Sequence, residues 1–99
     1  MKLGIQIHCD DNVVTVLEDA VPGDDVQYVT EQGPAHVTTL TAVPSGHKVA
    51  LCDLGAEEPI VKYNQPIGLA SIAIRRGEHV HDHNVRSTVQ GLGGEGSKQ

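Results

Sequence analysis

Val43-Pro44-Ser45-Gly46-His47-Lys48-Val49 and Ile74-Arg75-Arg76-Gly77-Glu78-His79-Val80 are two copies of one phrase: an apolar residue, two spacers, Gly, two spacers, Val. The central Gly can take φ > 0, so each copy reads as a tight reversal that delivers the chain into a new strand. A shortened copy is Val21-Pro22-Gly23-Asp24-Asp25-Val26, and in Leu54-Gly55-Ala56-Glu57-Glu58-Pro59-Ile60 the central slot carries no Gly. Between these turns apolar residues recur at period two, in Leu3-Ile5-Ile7, Val14-Val16 and Val49-Leu51, and Pro or Gly interrupts the chain before any long helix can form. The pattern is that of an all-β chain, with strands expected near 2–8, 12–18, 25–30, 36–42, 47–52, 59–63, 67–74 and 78–84, and a further turn at Gln32-Gly33-Pro34. Repeated reversals suit a compact clip of short hairpins and equally a small barrel, so the turns alone leave the topology open.

Composition agrees with that reading. Val, Ile and Thr supply 25 of the 99 residues, Phe and Trp are absent, and Tyr28 and Tyr63 are the two aromatics. Such a mix favours pleated strands around a thin aliphatic core. One domain is expected over residues 1–88, small enough to close one modest core without a deep cleft. Residues 89–99, ending Gly91-Leu92-Gly93-Gly94-Glu95-Gly96-Ser97-Lys98-Gln99, have the composition of a flexible tail.

The formal charge of −6 and the lack of a basic stripe or interleaved aromatics argue against nucleic acid as a partner. The N-terminus reaches Asp10 and Asp11 before a signal-peptide core or a membrane span could form, so a cytoplasmic protein with no membrane contact is expected. Cys9 and Cys52 match no CxxC spacing and are expected to be two reduced, buried or half-buried thiols. A zinc site using His8, Cys9 and Cys52 is the sharper alternative, and it lacks an identifiable fourth ligand.

Three stretches stand in order: Val43-Pro44-Ser45-Gly46-His47-Lys48-Val49-Ala50-Leu51, Ile60-Val61-Lys62-Tyr63-Asn64-Gln65-Pro66-Ile67-Gly68-Leu69-Ala70, and Gly77-Glu78-His79-Val80-His81-Asp82-His83-Asn84. Together with Asp11-Asn12-Val13 they resemble the N-terminal SAF-like domain of altronate and galactarate dehydratases over roughly the first 85 residues. The resemblance implies a β-clip fold and a hydro-lyase chemistry, in which a proton leaves the carbon next to a sugar-acid carboxylate and a β-hydroxyl departs. It also implies a divalent metal, iron or manganese, held mainly by a larger catalytic chain. This module precedes that chain in one polypeptide or is its separate small subunit, and a chain that ends here fits the second arrangement. The module is also similar to the small subunit of sulfolactate sulfo-lyase, which expels sulfite. Substrate choice and self-association of the chain stay open.

His79, His81 and His83 stand at i, i+2 and i+4, so an extended strand would point all three imidazoles to one face. Such a row can join a metal site, bind a carboxylate when protonated, or act as a general base. It can also be a solvated strand edge. The resemblance places His81 and His83 as catalytic candidates and Asn84, Lys48 and Tyr63 as substrate-binding candidates in a composite site. His79, His81 and His83 are the candidate metal ligands, effective only with a partner chain. His47 and Lys48 are adjacent on a strand and should face opposite ways, and Arg75-Arg76 could meet a carboxylate or simply be a solvated turn. Two rival readings are a stand-alone SAF-type binding or assembly module and an independent metal- or ligand-binding protein centred on the histidines.

Overall fold

The computed structural model describes residues 1–86, and the tail expected at 89–99 lies outside them. Among the described residues there are nine strands and no helix. They are β1 (Lys2–Ile5), β2 (Val13–Val16), β3 (Asp25–Thr30), β4 (Gly33–Thr38), β5 (Lys48–Ala50), β6 (Pro59–Lys62), β7 (Gln65–Ala70), β8 (His79–Val80) and β9 (Val85–Arg86). Six of them form one sheet in the order β4-β3-β1-β2-β5-β8, and β6-β7-β9 form a second. All pairings are antiparallel except β1 with β3. The chain is all-β, as its period-two pattern requires. Among the described residues, no helix is long and apolar enough to cross a membrane.

The turn phrase folds the same way four times. Gly23, Gly46, Glu57 and Gly77 all have φ between 76° and 93° and hold the third position of the turn. The first and fourth residues are joined by backbone bonds of 3.0–3.1 Å, from Asp24 to Val21, His47 to Pro44, Glu58 to Gly55 and Glu78 to Arg75. The positive φ at the third position identifies a type II reversal. Each turn then clasps one residue of a neighbouring segment, Thr39, Val16, Ala70 and Ala50 in turn, through a pair of backbone bonds. The copy that looked shortened is full length, since Ala20 bridges Val43 as Leu54 bridges Ile74.

One detail separates the second copy from the others. Asp24, Glu58 and Glu78, each at the fourth turn position, accept a side-chain hydrogen bond from the N–H of the first residue. In the second copy the first residue is Pro44, which has no N–H to cap. The fourth position is thereby released from capping, and it carries His47.

Two apolar clusters fill the interior. Val14, Val16, Val26, Val37, Val43 and Val49 pack with Tyr28, while Val13, Ala50, Ile60, Ala70, Ile74 and Val80 form the other. Strands β2 and β5 contribute to both because successive side chains point to opposite faces. The row Leu3-Ile5-Ile7 does not join either cluster, and each of its side chains is 42–50% exposed. Gly4 occupies the core side instead, where a Cβ would come within 2.5 Å of Val14 and 2.9 Å of Val26. Only a residue without a side chain lets β1 approach those valines, and this turns the apolar row outward.

Asp11 and Asn12 fasten the β6–β7 hairpin onto the large sheet. The buried Asp11 carboxylate accepts from the backbone N–H of His8, Tyr63 and Asn64 at 2.7–3.1 Å. Tyr63 and Asn64 have φ of 57° and 59°, the two-residue geometry whose backbone twist suits a hairpin. Asn12 accepts from Val61 N–H at 2.8 Å and donates to Pro59 carbonyl at 3.0 Å, imitating a strand at the β6 edge.

Candidate functional site

The antiparallel pairing of β5 with β8 places Val49 opposite His79 and Lys48 opposite Val80. His47, one residue before β5, lies on the His79 side, and its Nδ1 is 2.8 Å from His79 Nε2. The ring of His81 stacks on His47 with centroids 4.1 Å apart, and on His79 at 5.6 Å with an interplanar angle of 8°. One nitrogen from each of His47, His79 and His81 lies within 4.8 Å of the others. All three side chains are half-buried, and no enclosed pocket forms among the described residues.

This arrangement corrects the expected one-face row. The strand ends at Val80, and residues 81–84 turn, with Asn84 N–H donating to the His81 carbonyl at 3.0 Å. His81 reaches the cluster from the turn and not by strand alternation. Among the described aromatic rings, His83 pairs with that of His79 alone, tilted, at 5.0 Å. His47, which strand alternation separated from Lys48, takes the place that the row assigned to His83.

Asn84 is the residue that shapes this turn. It is 4% exposed, its Oδ1 accepts from His81 N–H at 3.0 Å, and its Nδ2 donates to the His79 carbonyl at 2.7 Å. Expected to meet a substrate, it spends both ends of its carboxamide on the backbone of two histidines and so acts here as a positioning residue. The His79 N–H is held by Thr41 Oγ1 at 2.9 Å.

The pKa of His79 is pushed down to about 4, chiefly by burial and further by His83, His47, His81 and Lys48 around it. Its imidazole is therefore neutral near pH 7, with a lone pair available to a hydrogen-bond donor or a cation. Lys48, on the opposite face, is half-buried with its pKa lowered by burial and by Lys62, against the opposing pull of Asp82. Lys62 Nζ sits 4.9 Å above the Tyr63 ring, and Tyr63 stands 56% exposed at the hairpin tip.

Two other candidates lie elsewhere. The Arg76 guanidinium donates to the carbonyls of Leu51 at 2.7 Å and His36 at 2.9 Å, so it ties segments together and does not present an open carboxylate clamp. Cys9 and Cys52 are both exposed, contrary to the buried thiols expected. Cys9 groups with His8 and Asp10, without Cys52.

Residues 2–88 match the altronate/galactarate dehydratase SAF domain, a span that includes every residue of the histidine cluster. The chain belongs to this family. This SAF domain is 39% identical over 88 residues to the altronate dehydratase of Escherichia coli, covering 89% of this chain and 17% of that protein. It is 35% identical over 92 residues to the altronate dehydratase of Bacillus subtilis, covering 93% of this chain and 18% of that one. The SAF domain therefore spans less than a fifth of the length of these relatives. It is also 50% identical over 46 residues to the (2R)-sulfolactate sulfo-lyase subunit alpha of Chromohalobacter salexigens, covering 46% of this chain and 49% of that subunit.

Proposed function

We propose that this chain is the small, non-autonomous part of a lyase that eliminates water from a sugar acid of the altronate or galactarate type. In this reading its histidine end completes an active site with a larger catalytic chain. The observation that carries the proposal is the open, half-buried group of His47, His79 and His81, its backbone locked by Asn84 and Thr41 while its rings stay accessible. Removing a proton next to a carboxylate needs a base, a role for which imidazole is the commonest side chain. Lys48 and Lys62, on the opposite face, supply positive charge for the rim of the larger chain. The outward row Leu3-Ile5-Ile7 offers that chain an apolar surface. Relatives more than five times as long as the matched region support the need for such a partner.

A second reading, elimination of sulfite from a sulfonated hydroxy acid, is favoured by one observation. Over the 46 residues matched in the sulfolactate sulfo-lyase subunit alpha the identity is 50%, against 39% and 35% over the spans matched in the two altronate dehydratases.

The test is reconstitution with a larger chain of the dehydratase type, assayed for 2-keto-3-deoxy acid from altronate and galactarate and for sulfite from sulfolactate. The isolated chain should be inactive. The mixture should turn over one substrate, and His81→Ala should lower its turnover by roughly 10²-fold or more while leaving the small chain folded. Activity of the isolated chain, or full turnover with both His47→Ala and His81→Ala, contradicts the proposal.

A further inference from the structure

We infer that His47, His79 and His81 form a binding site for one first-row divalent transition-metal ion within this chain. The His47 Nδ1 and His79 Nε2 atoms, 2.8 Å apart, are close to the spacing that an ion imposes on two neighbouring ligands. Metal–imidazole bonds of about 2.0–2.1 Å place adjacent nitrogens about 2.8–3.4 Å apart in octahedral or tetrahedral coordination. A neutral pair of rings satisfies such a contact with one proton, one nitrogen donating and the other accepting. A divalent ion seated against the same nitrogens takes both lone pairs and leaves the distal ring nitrogens protonated.

The third donor is already in reach. No pair among the three ligand nitrogens exceeds 4.8 Å, and the His81 side chain is 41% exposed, so it can turn about its broad terminal torsion toward the other two. The backbone under the ligands is fixed before any ion arrives. The buried Asn84 carboxamide holds the His81 N–H and the His79 carbonyl, Thr41 holds the His79 N–H, and β5–β8 pairing sets His47 against His79. Ligands held by such outer partners lose little freedom on binding. Three imidazole nitrogens suit zinc, cobalt and iron(II) better than magnesium or calcium, which prefer oxygen, and they leave coordination positions for a substrate oxygen or for groups of a partner.

The role of this site in turnover rests on the function proposed above, while binding of the ion by this chain does not. Two properties separate the site from its competitors. It includes His47, which the spacing of the C-terminal histidines does not suggest, and it excludes His83. It is also separate from the group of half-buried His8 with exposed Cys9 and Asp10.

The experiment is titration of the full chain with Co(II), followed by visible d–d absorption, and with Zn(II), followed by calorimetry, near neutral pH. One equivalent should bind with a spectrum lacking thiolate charge transfer. His47→Ala and His81→Ala should each weaken binding by on the order of 10³-fold or more, beyond the roughly 10–100-fold that loss of an outer-shell partner costs. His83→Ala and Cys9→Ser should retain it. Circular dichroism of each variant checks the fold, and His47→Gln serves in place of His47→Ala if the alanine variant unfolds. Absence of saturable binding overturns the inference, as does binding that survives in a folded His47 variant. Loss of binding in His83→Ala or Cys9→Ser equal to that in His47→Ala overturns it too.

Discussion

His47 Nδ1 and His79 Nε2 stand 2.8 Å apart although 32 residues separate them in the chain. Two features make the contact, one local and one tertiary. Pro44 removes the N–H that an acidic side chain caps in the other three turns, and antiparallel pairing sets Val49 against His79 so that His47 falls alongside. Neither feature alone brings the rings together.

Asn84 should prove essential to this geometry without touching the rings itself. Replacing it by Ala leaves the His81 N–H and the His79 carbonyl without partners, at a cost of about 2–3 kcal/mol. Asn84→Asp keeps an acceptor for His81 but turns a carboxylate oxygen toward the His79 carbonyl, so it should also destabilise. Denaturant midpoints measure the loss, and histidine ring shifts by NMR should move in any variant that remains folded. Unchanged midpoints in both variants would remove Asn84 from this role.

Asp11 should anchor the hairpin in a pH-dependent way. Burial by itself would raise its pKa, but the backbone N–H groups of Asn64, Tyr63 and His8 outweigh that and hold it below the usual aspartate value. A depressed carboxyl pKa contributes stability that is present above the unfolded pKa of about 3.9 and is lost as pH falls through the folded value. Asp11→Asn should therefore cost stability at neutral pH, about 1–3 kcal/mol, and should flatten the acid limb of the unfolding curve. A variant with the parent's acid limb would contradict this.

His79 should act in a higher window and in the same sense. Its pKa is about 4 in the folded chain and about 6.5 when unfolded, so the unfolded chain binds more protons between those values. Stability is fully present above about pH 6.5 and declines as pH drops toward 4, by about 1 kcal/mol once solvent screening of this half-buried ring is allowed for. Thermal unfolding between pH 7.5 and 4.5 measures the slope, and His79→Gln should reduce it. Equal slopes would show that another group titrates there.

The third turn should be improvable and the fourth should not. Glu57 holds φ of 76° where the other three copies use Gly, and its ion pair with Arg86 is exposed. Glu57→Gly should stabilise by about 0.5–1 kcal/mol, since relief of the left-handed strain exceeds the entropy cost of Gly and the loss of a surface pair. Gly77→Ala should destabilise strongly, because φ is 93° and a Cβ would stand 2.4 Å from the Thr38 carbonyl oxygen. Urea midpoints at constant slope decide both.

Much of the fold was legible in the sequence. Period-two apolar residues and the repeated Gly turn led to an all-β chain, and the strands at 25–30 and 59–62 lie where that pattern puts them. The C-terminal strand is shorter than the alternation predicts, because a buried Asn that folds the chain back at 81–84 looks in sequence like any polar residue on an alternating strand. The signal that could have revealed His47 was there as well: the acidic fourth position of the other turns changes to His where Pro44 opens the turn.

The amino-acid sequence by itself determined the local reversals and the alternation of side chains, since both depend on a residue and its near neighbours: a Gly that tolerates positive φ, a Pro without an N–H, a Val two places from the next. Tertiary structure alone decided which face of each strand is inside and which strands are neighbours. The lack of a side chain on Gly4 turned Leu3, Ile5 and Ile7 outward, and the pairing of β5 with β8 brought His47 to His79 in place of His83. Period two permits either face to be buried and carries no information about a partner tens of residues away. That choice is made by packing in the two clusters and by hydrogen bonds that exist only when the whole chain has closed.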